Sequence, residues 1–190
     1  MAMKKSINKK QAGFTLVELM VTLTVAAILL SIAVPSFTTF IQNNRITSAT
    51  NLVVAHLQYA RSEAVSKGLA VNVARSGATA KDLSQGWTIY TDAGSSNGNT
   101  AFNSAEDTLL KSFEGYGNSG VTINTDTNGN NWIAFSNRGL LAEGAGNSVN
   151  IAVCDSRGIT QGRLITVSPT GRSQITRSTD TVNPLTTCTP

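Results

Sequence analysis

The chain has 190 residues, room for one ordinary domain and an added element but not for two full domains. Its net charge of +4 sits at one end: Lys4, Lys5, Lys9 and Lys10 fall within residues 1–13, where there is no acid. Removing those four lysines from the fifteen basic residues leaves eleven, against eleven acids, so global charge gives no argument for a nucleic-acid partner.

The lysines lead into a segment that is almost unbroken apolar from Phe14 to Val34, "FTLVELMVTLTVAAILLSIAV". At about 1.5 Å of rise per residue it spans the ~30 Å hydrocarbon core of a bilayer. The basic cluster before it, with no comparable cluster after it, predicts an N-terminus in the cytoplasm and the rest of the chain on the far side. A cleaved secretory signal is the competing reading, with "SIAVPS" as its weak cleavage site. The run is long for a signal, however, and continues as a helical pattern. It also contains one acid, Glu18, and a carboxylate in the bilayer costs at least a few kcal/mol without a partner.

Pro35 cannot donate to the carbonyl of Ser31, so a kink is expected there. The helical pattern then resumes. Ile46, Ala49, Val53, Leu57, Ala60 and Ala64 recur at steps of three and four and mark one apolar face. Gly68 is placed to stop the helix. A helix from about Phe14 to Lys67 would be roughly 80 Å long.

Beyond Gly68 the composition changes to short β-like runs between Gly, Asn, Asp and Ser: "LAVNVA", "GWTIYT", "TLLKSF", "VTINT", "NWIAFS", "VNIAVC", "RLITVS" and "SQITR". Alternation in most of them predicts a sheet with one buried face against the helix, and the short spacing predicts mostly antiparallel pairing. The polar stretch 92–107 reads as a mobile loop. The fold class expected is α+β. Residues 1–13 form a leader, 14–67 the long helix (14–34 in the membrane) and 68–190 a β-rich head.

Candidate chemistry is sparse. His56 is the one histidine, and a Ser-His-Asp triad would have to draw on this helical residue. There is no G-x-x-x-x-G-K-[ST] segment, and "EGAGNS" at 143–148 reads as a glycine-rich turn. "DTNGNN" at 126–131 begins like a calcium loop, but Asn131 and Asn137 stand where Gly and Glu are needed. Asp92 with Glu106 and Asp107 is a remote candidate for a cation. Cys154 and Cys188 lie far apart without a C-x-x-C pattern, a poor basis for a metal site. They are read as one disulfide if the head faces an oxidising compartment, worth roughly 3–4 kcal/mol on the chain-entropy model, or otherwise as two buried thiols. No cofactor and no enzymatic activity are expected.

From residue 157 onward Arg157, Arg163, Arg172 and Arg177 face only Asp180. In "GRSQITR" Arg172, Gln174 and Thr176 share one strand face and Arg177 lies on the other. Charges on such a strand also discourage edge-to-edge pairing.

"AGFTLVELM" resembles the prepilin signature of type IV pilins and type II secretion pseudopilins. The resemblance implies cleavage between Gly13 and Phe14 by a membrane prepilin peptidase, methylation of the new amine, and retention of the apolar run. It further implies that Glu18 pairs with that ammonium in an assembling filament, which would offset part of the burial cost. "YARSEAVSKG" (59–68), "GWTIYTD" (86–92) and "SPTGR" (168–172) resemble the FimT, FimU and type II secretion H (GspH) subgroup of minor subunits. That resemblance implies a pilin-like fold and a subunit that joins a tip complex priming pilus assembly or, alternatively, a secretion pseudopilus. The partners implied are the major and other minor pilins, the prepilin peptidase, the inner-membrane assembly platform and the membrane itself. FimT-like pilins of DNA-taking bacteria also carry a Gly-Arg-x-Arg element that contacts double-stranded DNA. Gly171 and Arg172 match its first half; Ser173 and Gln174 follow, and the next arginine is Arg177. The DNA candidates are therefore Arg172 and Arg177, with Arg163 and Arg157 beside them.

Overall fold

A computed structural model describes residues 13–76, 82–94, 102–117, 119–126, 132–142, 148–178, 180 and 185–188. Among the described residues one helix, α1 (Leu16–Lys67), is followed by eight strands: β1 (Ala70–Arg75), β2 (Trp87–Asp92), β3 (Leu109–Phe113), β4 (Val121–Thr125), β5 (Trp132–Phe135), β6 (Val149–Asp155), β7 (Gly158–Val167) and β8 (Ser173–Arg177). Each of the eight β-like runs contributes a strand. β7 begins earlier than its run suggested, because Gly158 turns the chain straight back from β6.

Two compact units divide at Ile41 and Gln42. In the first, the large apolar side chains from Phe14 to Ile41 are all exposed, and an 18-residue window reaches a mean hydropathy of 2.4. So continuous an apolar surface needs lipid or neighbouring helices to cover it. Pro35 does not end α1, and the hydroxyls of Thr38 and Thr39 both donate to its carbonyl oxygen, at 2.9 and 3.1 Å.

In the second unit the apolar stripe of α1 forms the centre of the core. Ile46, Ala49, Val53, Leu57, Ala60 and Ala64 are all buried, and most of them pack on Val71, Val73, Ile89, Ile123, Ile133, Ile151 and Ile165. Each fully buried Val, Leu or Ile side chain contributes about 1.5–3 kcal/mol. The helix stops at Gly68, which adopts φ 67° and returns its amide to the carbonyl of Ala64 at 3.0 Å.

The head contains two four-stranded sheets, β3-β2-β1-β5 and β4-β6-β7-β8, rather than the one sheet expected. All pairings are antiparallel. The division arises because β5 returns to pair with β1, while β4 pairs with β6, so the chain changes sheets between β3 and β4, between β4 and β5, and again between β5 and β6. Alternation in the sequence reveals which face of a strand is buried but not which strand lies beside it. A smaller cluster, Ala152, Cys154, Leu164 and Leu185, occupies the other face of the second sheet, and there Cys154 and Cys188 form a disulfide.

Candidate functional site

At the N-terminal site, Thr15 immediately precedes α1. Its hydroxyl accepts the backbone N–H of Glu18 at 3.2 Å, and its carbonyl accepts the N–H of Leu19 at 3.1 Å. Thr15 is thus the N-cap, satisfying one of the amides that a helix start leaves without a partner. Glu18 occupies the third helical position, where a carboxylate is favoured by the helix dipole. Gly13, Phe14 and Glu18 are all exposed, and Phe14 is 81% accessible. The Thr-x-x-Glu spelling of a capping box is the sequence signal that would have singled out Thr15.

The four C-terminal arginines do not form one patch. Arg157 is committed to Asp155: its Nη2 lies 2.7 Å and its Nε 3.0 Å from Oδ2, and its Nη1 donates to Asn43 Oδ1 at 2.8 Å. The Asp155 side chain is only 6% accessible. Burial pushes its pKa up, but the hydrogen bonds and charge of Arg157 more than offset this and hold the carboxyl below its usual range. Arg163 is half-buried and donates to the carbonyls of Gln161 and Gly162 at 2.9 and 3.1 Å. Burial, together with Arg177 and Arg157 nearby, lowers its pKa. Arg177 stands directly opposite Arg163 in the β7–β8 ladder and is exposed. Arg172 is exposed in the turn before β8.

Gly171 has a structural reason to be glycine. It adopts φ 74°, and a Cβ there would lie 2.2 Å from the Gly139 carbonyl oxygen and 2.9 Å from Arg61 Nε. Arg61 is the clamp at this point, with Nε donating to Gly139 O at 2.8 Å and Nη2 to Thr170 O at 3.0 Å. It joins α1 to the loop after β5 and to the turn after β7, and so to both sheets. Segments 59–68 and 168–172, far apart in sequence, meet here. The sequence singled out both segments but not the role of Arg61.

His56 is buried at 4% accessibility. Its Nδ1 accepts the indole N–H of Trp87 at 3.0 Å, which leaves the ring proton on Nε2, and its ring packs edge-on to Trp87 and Phe113. Burial, with a smaller contribution from Lys111, lowers its pKa and keeps the ring neutral. Of the candidate cation ligands, Asp107 receives the N–H groups of Ala93 and Asn103 at 3.1 and 2.8 Å, and Asp92 receives the Asn72 amide at 3.2 Å. Asp126 receives the backbone and side-chain N–H of Asn150 at 2.6 and 2.8 Å. Among the described residues no group of three His, Cys, Asp or Glu could hold a metal ion. Residues 127–131 and 143–147, with the middle of the 92–107 stretch at 95–101, lie outside the described residues.

Two family models match the chain. "Prokaryotic N-terminal methylation motif" covers residues 8–34, and "Type II transport protein GspH" covers residues 49–171. Among solved structures, the type IV minor pilin FimU of Pseudomonas aeruginosa strain PAO1 is similar in two crystal forms. In space group P21 it is 26% identical with a TM-score of 0.59, over 78% of this chain and 98% of that one. In space group P65 the values are 25%, 0.56, 75% and 98%. No curated protein is found to match. With the GspH model spanning well over half of the chain and the methylation motif at its head, the chain belongs to the FimT/FimU/GspH family of type IV minor pilins and pseudopilins.

Proposed function

We propose that this chain is a minor type IV pilin of the FimU kind, a structural subunit that joins a tip complex and primes pilus assembly. The observation that carries the reading is the FimU likeness, which takes in 98% of that chain and 78% of this one. In this reading the peptidase cuts between Gly13 and Phe14 and the new amine is methylated. The basic leader stays in the cytoplasm, residues 14–34 span the inner membrane, and the head faces the periplasm until the subunit enters the fibre. Glu18, presented at the capped start of α1, meets the amine of Phe14 in its own or a neighbouring subunit and sets the register of the helix bundle.

Gly13→Arg is expected to block cutting, leaving a precursor of lower mobility that is absent from sheared fibres. Normal processing and normal fibres in that variant would sink the assignment.

The GspH family match supports a second reading, a type II secretion pseudopilin that primes a short periplasmic pseudopilus. Deletion of the gene separates the two. Loss of surface fibres with secretion intact supports the pilin, and loss of exoprotein secretion with fibres intact supports the pseudopilin.

DNA contact is compatible with the first reading. Arg172 and Arg177 are its candidates, being exposed and making no ion pair with any described acid. Arg157, paired with Asp155, is not a candidate. The test is fluorescence anisotropy of the head from Gln42 across a salt series, with Arg172→Gln/Arg177→Gln as comparison. Each lost phosphate contact reduces the log–log salt slope by roughly 0.9. Equal affinity and slope in the two proteins would exclude these arginines.

A further inference from the structure

The first residues of the head border a polar cavity. Gln42 and Arg45 on α1, Ser119 and Gly120 just before β4, and Asp155 and Ser156 at the β6–β7 turn line a space of about 200 Å3, and all of them belong to the second unit. Arg157 ties that turn to the helix, its Nη1 donating to Asn43 Oδ1 while its Nη2 pairs with Asp155. The carboxylate on the cavity wall is therefore already neutralised, and the charge left uncompensated there is Arg45.

Arg45 is exposed, forms no ion pair with a described acid, and donates one long bond, from Nη1 to Ser119 O at 3.3 Å. A guanidinium has five N–H donors in a fixed fork, so most of its capacity remains for a ligand. The Ser119 hydroxyl is buried without a hydrogen-bond partner, a state that native proteins seldom leave unfilled. Gly120 adopts φ 77°, and a Cβ on it would meet nothing within 4 Å, so the wall beside Ser119 is open. A cation, an unpartnered hydroxyl and an open turn suit an anion with several oxygens, and arginine matches phosphate in geometry.

Position in the chain decides which phosphate is within reach. No charged residue stands between Glu18 and Arg45, and the exposed apolar side chains continue to Ile41. Arg45 follows four residues later, so even a fully extended chain keeps it within about 14 Å of Ile41. The polar layer of a bilayer begins where the hydrocarbon ends, and a long arginine side chain reaches into that layer while its stem stays on apolar surface.

We propose that this cavity binds the phosphodiester group of a membrane phospholipid, with Arg45 as the cation and Ser119 as a hydroxyl donor, and that the lipid holds the head at the bilayer until the subunit is drawn into a fibre. The proposal rests on the membrane-anchored reading above and extends it by assigning a lipid site to the head itself.

The test uses the full chain reconstituted in lipid nanodiscs, with amide hydrogen exchange followed by mass spectrometry. In phosphatidylglycerol discs the segments around Gly120 and Ser156 are expected to exchange about fivefold more slowly in the parent than in Arg45→Gln, the factor that one cation contributes at an anionic membrane surface. The variant in the same discs is the baseline, since an anionic surface slows exchange by itself. Arg45→Lys, which keeps the charge, should retain most of the protection. Equal exchange in the parent and Arg45→Gln overturns the proposal. In discs of an uncharged glycolipid, digalactosyldiacylglycerol, the two should agree; a difference persisting there means that Arg45 only braces the turn through Ser119, and also overturns it. In maltoside micelles, protection of the same segments by millimolar inorganic phosphate would assign the cavity to a free anion and overturn the lipid. Exchange protection of residues 16–34 reports insertion independently. A chain that inserts without an Arg45 effect defeats the lipid site alone, whereas a chain that does not insert defeats the membrane reading with it.

Discussion

Gly171→Ala separates a structural glycine from a DNA-contacting one. The substitution has two costs. Holding alanine at φ 74° costs about 1 kcal/mol. The added methyl would lie 2.2 Å from Gly139 O, so the turn must move away from backbone that has little freedom to yield. That movement lengthens the bonds from Arg61 to Gly139 O and Thr170 O, now 2.8 and 3.0 Å. Hydrogen bonds to charged groups are worth roughly 1.5–3 kcal/mol each, so losing one brings the total to about 2.5–4 kcal/mol. Urea unfolding followed through Trp87, which is 2% accessible, reads this directly. Arg61→Leu should match the loss to within about 1 kcal/mol, and the double variant should be much less than additive because the two act on one clamp. Arg172→Gln, one residue away but exposed, should stay within about 0.5 kcal/mol of the parent. A Gly171→Ala loss below about 1 kcal/mol, or full additivity with Arg61→Leu, would refute the clamp.

Four other outcomes follow from contacts in the head. His56 has a folded pKa below its usual 6.5, so the head should be at full stability above that pH and lose it as pH falls, by at most about 1.4 kcal/mol per unit until the folded pKa is passed; His56→Phe should flatten this slope in pH-dependent melting. Arg157→Gln leaves the buried Asp155 without its partner and should cost roughly 2 kcal/mol by urea titration. In the parent, the stability tied to Asp155 should be present above its ordinary pKa near 3.8 and disappear as pH falls through the lower folded value. Cys154→Ser/Cys188→Ser should lower stability by roughly 3–4 kcal/mol, since the closed loop spans 34 residues; a melting temperature within a degree of the parent would contradict this.

Much of the architecture is legible because its causes are local. The stripe from Ile46 to Ala64 is periodic, and all six of its residues are buried. The strands are bounded by turn residues, and Gly68 ends the helix. What the sequence hid depends on separation along the chain. The pairing of β5 with β1, which splits one expected sheet into two, leaves no mark on either segment. Arg61 falls outside the apolar stripe of the helix, and its partners are carbonyls 78 and 109 residues away. Arg157 reads as one of four basic residues in a row, although Asp155 two residues earlier neutralises it. His56 enters the core because Trp87, from a distant strand, supplies a buried indole N–H that needs an acceptor.

The disulfide has a consequence for the order of events. Cys154 lies in β6, whereas Cys188 follows β8, so all eight strand segments precede the second sulfur in the chain. With the head exported as proposed, neither thiol finds its mate until the last strand has crossed the membrane. Bond formation is then a timestamp of completed export: a chain stalled midway keeps an alkylatable Cys154, and a pulse-labelled population should change from labelled to protected in one step.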